Sequence, residues 1–485
     1  MLTIVLVSLF LYAWWRLFSK EVSNIPGPLC LPFLGCPLWL KSKRGFLDWL
    51  TQPSVVKNPI SFIQIGPTLK YYIINDFKIM KELFSKEAFS HRSAADFQLQ
   101  HRFVTVNKPD GILLTNGDQW SHQRRFALKT LKDFGFGKQS LESTINTEID
   151  EIITKYSLHQ GDIKIGSDFN IPVISILWKI VSGSRITMDS TESVRMVELV
   201  NEIFTKGNFH LKVLPYSFLK HFPNITGYKN RAEILEEHKA FMLKIIDEHE
   251  ETFEAGQLKD FIDVYLDQMQ SDNSGKYSKG DLSASMIDFF HAGTETTSTT
   301  LKWVLLYLAL NQNDQEACRR EINEVLGETR PEVAHMSSLP YTVATITEIQ
   351  RLSSVAPISL DHETTETFNY REFTFPKGAV FIANLRHIMT DPKHFHDPLK
   401  FNPKRFLDAK GTYVKNERVI PFGIGKRFCM GELLARNELF LFTVNLIQQL
   451  RIQPSDNHPL PNPENYCANA TRIPDDFYVK FTAVR

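Results

Sequence analysis

The most constraining stretch of the chain is Phe422-Gly423-Ile424-Gly425-Lys426-Arg427-Phe428-Cys429-Met430-Gly431, followed at once by Glu432-Leu433-Leu434-Ala435-Arg436-Asn437-Glu438-Leu439. The second part spaces its apolar residues as a helix does, so Cys429 lies where a glycine-rich loop hands over to a helix. A thiolate there faces unpaired backbone N–H groups and the positive end of the helix dipole. Gly423, Gly425 and Gly431 let the backbone turn sharply and let a flat body lie close against it. By itself the setting admits a nucleophile, a metal ligand or a small buried filler.

Taken together, Phe422, Gly425, Arg427, Cys429 and Gly431 spell Phe-x-x-Gly-x-Arg-x-Cys-x-Gly. This resembles the haem-binding loop of the cytochromes P450, the haem-thiolate monooxygenases, and the resemblance extends over roughly residues 25 to 485. It implies a mainly α fold with small β-sheets, haem b as cofactor and Cys429 as the iron ligand. Phe422, Gly423 and Arg427 would touch the cofactor from the same loop.

Other segments acquire meaning in that light. Trp120 and Arg124 are four apart and share a helix face. In the family this pair lies beside the haem propionates, which a guanidinium binds bidentately. A long helix is expected from Gly280 to about Asn311, with Ala292-Gly293-Thr294-Glu295-Thr296-Thr297 at its centre. Glycine and clustered threonines form helices poorly, so this mid-helix run marks function or a kink. It resembles the family's oxygen-activation motif: Gly293 would open a groove for O2, Thr296 would hold a hydroxyl or water there, and Glu295 would feed protons. Thr296 could equally bond back to the carbonyl of Ala292. His291 precedes Glu295 by one turn, a spacing for either a surface pair or a group that tunes Glu295.

Glu348-Ile349-Gln350-Arg351 comes about eighty residues before Cys429. It resembles the family's Glu-x-x-Arg signature, which with Arg405 of Pro403-Lys404-Arg405-Phe406 would form a buried charge network behind the cysteine loop. His362 follows Pro357 by five residues, where the family places a propionate ligand. Val355, Ala356 and Leu360 would line the substrate pocket together with Ala292.

Residues Met1 to Trp15 are almost wholly apolar and are followed by Arg16 and Lys20; counted to Phe18 the stretch is eighteen residues. As a helix they would span about 27 Å, the thickness of a thin bilayer. No cationic segment precedes them and no small-residue cleavage site follows, which favours a signal anchor over a cleaved peptide. Residues 1–18 therefore read as anchor, 19–35 as a linker with the proline-rich hinge Ile25-Pro26-Gly27-Pro28, and 36–485 as the catalytic domain. The catalytic domain is expected in the cytosol at the endoplasmic reticulum membrane.

Formal net charge is zero, which gives no broad cationic face for nucleic acid. The five cysteines are irregularly spaced and form no zinc pattern, as in chains that face a reducing compartment. No Rossmann glycine motif sits between a strand and a helix, so NADPH would be held by a separate reductase, NADPH-cytochrome P450 reductase, with cytochrome b5 as a further donor. Arg125, Lys129, Lys132 and Lys426 offer a docking patch for it. Trp120-Ser121-His122-Gln123-Arg124-Arg125-Phe126 looks most like the animal microsomal branch, which oxidises xenobiotics, fatty acids and steroids. Two other readings are a haem-thiolate isomerase or peroxide-rearranging enzyme, which should lack the acid–alcohol pair Glu295-Thr296, and a non-catalytic haem sensor. A metal-free cysteine hydrolase fits less well, since no histidine is tied by sequence to Cys429.

Overall fold

The structure is a computed structural model. It describes residues 49–65, 69–93, 111–136, 139–187, 190–205, 228–272, 275–468 and 471–484, together with short pieces of the first 36 residues.

In chain order the described helices are α1 (Pro53–Val56), α2 (Phe77–Phe84), α3 (Gly117–Asp133), α4 (Gln139–Leu158), α5 (Asn170–Ser182), α6 (Thr191–Thr205), α7 (Tyr228–Thr252), α8 (Phe261–Ser271), α9 (Lys279–Leu310), α10 (Gln312–Leu326), α11 (Pro340–Ser353), α12 (Leu385–Met389) and α13 (Glu432–Gln449). The strands are β1 (Ile60–Ile65), β2 (Leu69–Ile74), β3 (Asp162–Ile165), β4 (His362–Glu363), β5 (Phe368–Tyr370), β6 (Phe373–Phe375), β7 (Val380–Ala383), β8 (Leu450–Pro454), β9 (Tyr466–Ala468), β10 (Arg472–Pro474) and β11 (Phe477–Ala483).

α9 is the axis of the helical part. It runs 32 residues, capped by the Ser278 hydroxyl on the Asp281 amide. It is buried on most of its circumference, as a helix enclosed by others must be, and it packs against α5, α7, α11 and α13. The poor helix formers at its centre are accommodated locally: the hydroxyls of Thr294, Thr296, Ser298 and Thr300 donate to carbonyls one turn back at 2.6, 2.8, 2.6 and 2.7 Å. Gly293 serves helix packing. A Cβ there would lie 2.5 Å from Cδ2 of Leu177 on α5, so the missing side chain lets α5 approach.

The other body is a four-stranded sheet in the order β1-β2-β7-β4. β1 and β2 form the hairpin that the strand-like residues 61–65 and 71–74 around Gly66-Pro67 predict, with Ile60 opposite Ile74, and β7 adds in parallel to β2. Asp76 caps α2 through the Ile79 amide at 2.9 Å, and Phe77, Met80, Leu83 and Phe84 bury one face of that helix on the sheet. β3 interrupts residues 139 to about 270, whose sequence pattern is mostly helical; it pairs with β11, far away in sequence.

The hinge runs along β1: the Phe62 amide donates to the Pro26 carbonyl at 2.9 Å and the Cys36 amide to the Gln64 carbonyl at 2.8 Å. Here Cys30 and Cys36, which spacing left unpaired, are joined as a disulfide. The reducing-compartment reading loses the support it drew from these two residues. Among the described residues no helix is long and apolar enough to cross a membrane. The expected anchor lies mostly outside the described residues; those placed within it, at 5, 7–10 and 12, are helical and exposed. The sequence makes the pocket shape depend on the 88–115 loop and the 200–227 segment; of these, residues 94–110 and 206–227 are also outside the described residues.

Candidate active site

The cysteine loop is built as its glycines require. Gly423 and Gly425 have φ of 69° and 85°, a region that disfavours side chains. Gly425 also packs against Phe84, whose carbonyl oxygen would be 2.2 Å from an added Cβ. The Cys429 amide donates to the Phe422 carbonyl at 3.0 Å, closing the loop. Burial pushes the Cys429 thiol pKa up, while the amides of Gly431 and Glu432 at the start of α13 and the Arg124 guanidinium push it the other way. Cys429 is nevertheless exposed. A sulfur both exposed and surrounded by protein faces a hollow inside the molecule rather than bulk water.

Three guanidinium groups lie beside this loop. Arg427 donates to the carbonyls of Ser90 and Thr115, both at 2.6 Å, and its guanidinium lies 3.8 Å from the centroid of the Trp120 ring. Burial, then Arg92, then Arg124 push its pKa down to about 8. Arg124 donates to the Phe428 carbonyl at 2.6 Å. Arg92 is 5% exposed, and burial pushes its pKa down to about 10. None of the three has an ion pair with a carboxylate among the described residues. Among the described residues, the buried Nε of Arg92 and Nε1 of Trp120 have no hydrogen-bond partner. Clustered cations and idle donors around a sulfur ligand are what a metal cofactor carrying two carboxylates would satisfy.

His362 is buried against this cluster. Its ring stacks on Phe84 with centroids 3.6 Å apart, and Nδ1 meets the Phe89 carbonyl at 2.7 Å. Burial, then Arg92, hold its pKa well below the usual histidine value, so it is neutral here.

On α9, Ala292 is exposed and Thr296 half-buried, while Glu295 is only 4% exposed. Thr299 donates to Glu295 at 3.0 Å. Burial pushes the Glu295 carboxyl up to about 7, with Thr299 and then Lys302 opposing. His291 meets His238 of α7 edge to face, centroids 4.7 Å apart; the partners of Glu295 are Thr299 and Lys302 instead. Val355 is buried, Ala356 half-buried and Leu360 exposed.

Glu348 and Arg351 are fully buried. Arg351 donates to both Glu348 oxygens, at 2.7 and 2.9 Å. Glu348 also accepts from Arg405 Nε and the Asn402 amide, both at 3.0 Å. Arg351 spends its remaining donors on the carbonyls of Met389 and Pro398 at 2.9 and 2.7 Å. Structure thus brings Arg405 onto Glu348, 57 positions earlier in the chain.

Sequence reasoning missed two residues. Arg92, in Phe89-Ser90-His91-Arg92, sits in no pattern that spacing alone would flag. Glu438 is 2% exposed on α13; burial pushes its carboxyl pKa well above the usual range, with Thr297 of α9 opposing, and Oε1 has no hydrogen-bond partner among the described residues. The signal for it was an acid inside the apolar run Leu434 to Phe442.

A family model described as Cytochrome P450 matches residues 25–481. The chain belongs to the cytochrome P450 family. It is 33% identical to cytochrome P450 2H2 of Gallus gallus over 490 residues, 99% of this chain and 98% of that protein. It is 32% identical to cytochrome P450 2J2 of Homo sapiens over 448 residues, covering 90% and 87%. Farnesoate epoxidase of Bombyx mori is 31% identical over 451 residues, 90% of each chain. The protein is a haem-thiolate monooxygenase of the animal branch of cytochromes P450, and its cofactor is haem b. The donor set around Cys429 fits that cofactor.

Proposed function

We propose that this cytochrome P450 inserts one oxygen atom from O2 into an apolar organic substrate (a xenobiotic, fatty acid or steroid), with electrons from NADPH delivered by a separate reductase. The observation that supports this most directly is Cys429 at the start of α13, beside two helix-end amides and flanked by three guanidinium groups, none of them ion-paired with a carboxylate among the described residues. The haem, when bound, supplies the oxidation itself, with a thiolate ligand favouring O–O cleavage.

The residues of the chain then have these roles. Cys429 would ligate the iron, and the Gly431 and Glu432 amides beside it would limit how much electron density it donates. Trp120, Arg92, Arg124 and Arg427 orient the cofactor by its two carboxylates, with Phe422 and Gly423 against its face. His362 already donates Nδ1–H to Phe89, so it can donate to a carboxylate only as the imidazolium. A nearby anion favours that form. Glu295, poised near neutrality, holds a proton close to physiological pH, and Thr296 passes it on by exchanging its bond to Ala292 for one to a bound water. Glu438 and Thr297 are a second protonated pair between α9 and α13. Ala292, Val355, Ala356 and Leu360 line the substrate pocket. Glu348, Arg351 and Arg405 brace the loop.

The first eighteen residues would anchor residues 36–485 at the cytosolic face of the endoplasmic reticulum, with Arg125, Lys129, Lys132 and Lys426 as the docking patch. Retention of Glu295 and Thr296 speaks against an isomerase that needs no O2. The test is O2 uptake coupled to NADPH loss, with purified reductase and a substrate panel. One relative is named for epoxidising farnesoate, so the panel includes unsaturated apolar acids. A normal reduced, CO-bound thiolate spectrum with no coupled uptake for any substrate would reject monooxygenation while retaining the haem-thiolate site.

A further inference from the structure

His249 sits in the last turn of α7, beyond the site described above. Its Nδ1 is 2.8 Å from the Ile245 carbonyl and its Nε2 is 3.1 Å from Oδ2 of Asp260. A carbonyl and a carboxylate only accept, so both ring nitrogens must carry protons for both bonds to exist. Asp260 is at the same time the N-cap of α8, its Oδ1 accepting from the Asp263 amide at 2.9 Å. It also lies under Gly183, the left-handed cap of α5, where an added Cβ would be 2.9 Å from Asp260 Oδ2. One carboxylate thus caps α8 and bonds the last turn of α7, close beside the end of α5, and the histidine proton is what ties α7 to it.

We propose that His249 is a proton-operated latch that fixes the C-terminal end of α7 to the α8 cap, closed when the imidazole is charged and released when it is neutral. The neutral ring can donate through one nitrogen only, so one of the two bonds must be lost on deprotonation.

The charged groups around it are accounted for among the described residues. From α8 come Asp260 and Asp263, both favouring the cation. Lys259 contributes only its amide, to Asp263 at 3.0 Å. From α5, Lys179 donates to the Gly183 carbonyl. On α7 itself, Glu248 and Glu251 are exposed, and Glu250 with Asp247 pairs with Lys279 of α9. The end of a helix also favours a cation through its dipole. Burial opposes the charge, yet the net direction is a raised pKa. Loosening this end matters to the centre because α7 also packs on α9, where His238 meets His291 beside Ala292.

The experiment is hydrogen exchange by mass spectrometry on the haem-loaded protein between about pH 6 and pH 8.5, corrected for intrinsic base catalysis. In the wild type, protection of the segment 246–263 should fall about tenfold as pH rises, a local opening in the sense of sub-global unfolding, while the segment 301–310 stays unchanged. His249→Gln, which cannot make both bonds, should be open and flat across the range. Asp260→Asn keeps an N-cap acceptor but removes the charge, so its transition should move to lower pH. Flat wild-type protection, a retained pH step in His249→Gln, or an unmoved midpoint in Asp260→Asn would each overturn the latch.

Discussion

Replacing Glu348 by alanine tests the brace behind the cysteine loop. The carboxylate accepts from Arg351 Nε and Nη2, Arg405 Nε and the Asn402 amide. Its removal leaves Arg351 charged, fully buried and with only the Met389 and Pro398 carbonyls as acceptors. Breaking one side of a buried pair costs about 3–5 kcal/mol. Typical stability is about 5–15 kcal/mol, so the loss should be a large share of the total. Arg405 is 11% exposed on its side chain and leaves Glu348 still paired with Arg351, so Arg405→Ala should cost less. Urea unfolding followed by circular dichroism gives the stability change, and the reduced, CO-bound spectrum gives haem incorporation. We expect Glu348→Ala protein to lose most of its haem, with a midpoint well below that of Arg405→Ala. A Glu348→Ala protein within about 1 kcal/mol of wild type, the size of a solvated surface pair, and with full haem would refute the reasoning.

Further outcomes follow from the same geometry. Cys429→Ser should remove the thiolate CO spectrum and the monooxygenase activity while circular dichroism shows the fold intact. Glu295 has a raised pKa of about 7, so the unfolded chain holds fewer protons than the native protein between about pH 4.5 and 7. Stability should therefore fall as pH rises through that window, by up to about 3 kcal/mol. Glu295→Gln should flatten that dependence in a urea titration and slow turnover. Thr296→Ala should keep substrate binding, read as a spectral shift, while diverting more NADPH to peroxide, measured by peroxide assay. If the basic patch docks the reductase, turnover should drop with salt when the reductase supplies electrons and be salt-insensitive when a peroxide replaces it.

What could be read from sequence was whatever short-range chemistry fixes. The glycines, arginine and cysteine of residues 422–431, the hairpin of β1 and β2, the cap at Asp76 and the long α9 all depend on neighbours a few positions away. Tertiary structure decided what depends on which elements meet. It showed that Gly293 makes room for Leu177 of α5, that β3 exists because β11 pairs with it, and that Cys30 reaches Cys36 where the hinge folds along β1. It also separated residues alike in sequence. Glu295 and Glu438 are buried and held toward their neutral forms. His362 is kept neutral beside two arginines, while His249 is held charged between two acceptors. Protonation is set by burial and by partners distant in the chain, and no local pattern encodes either.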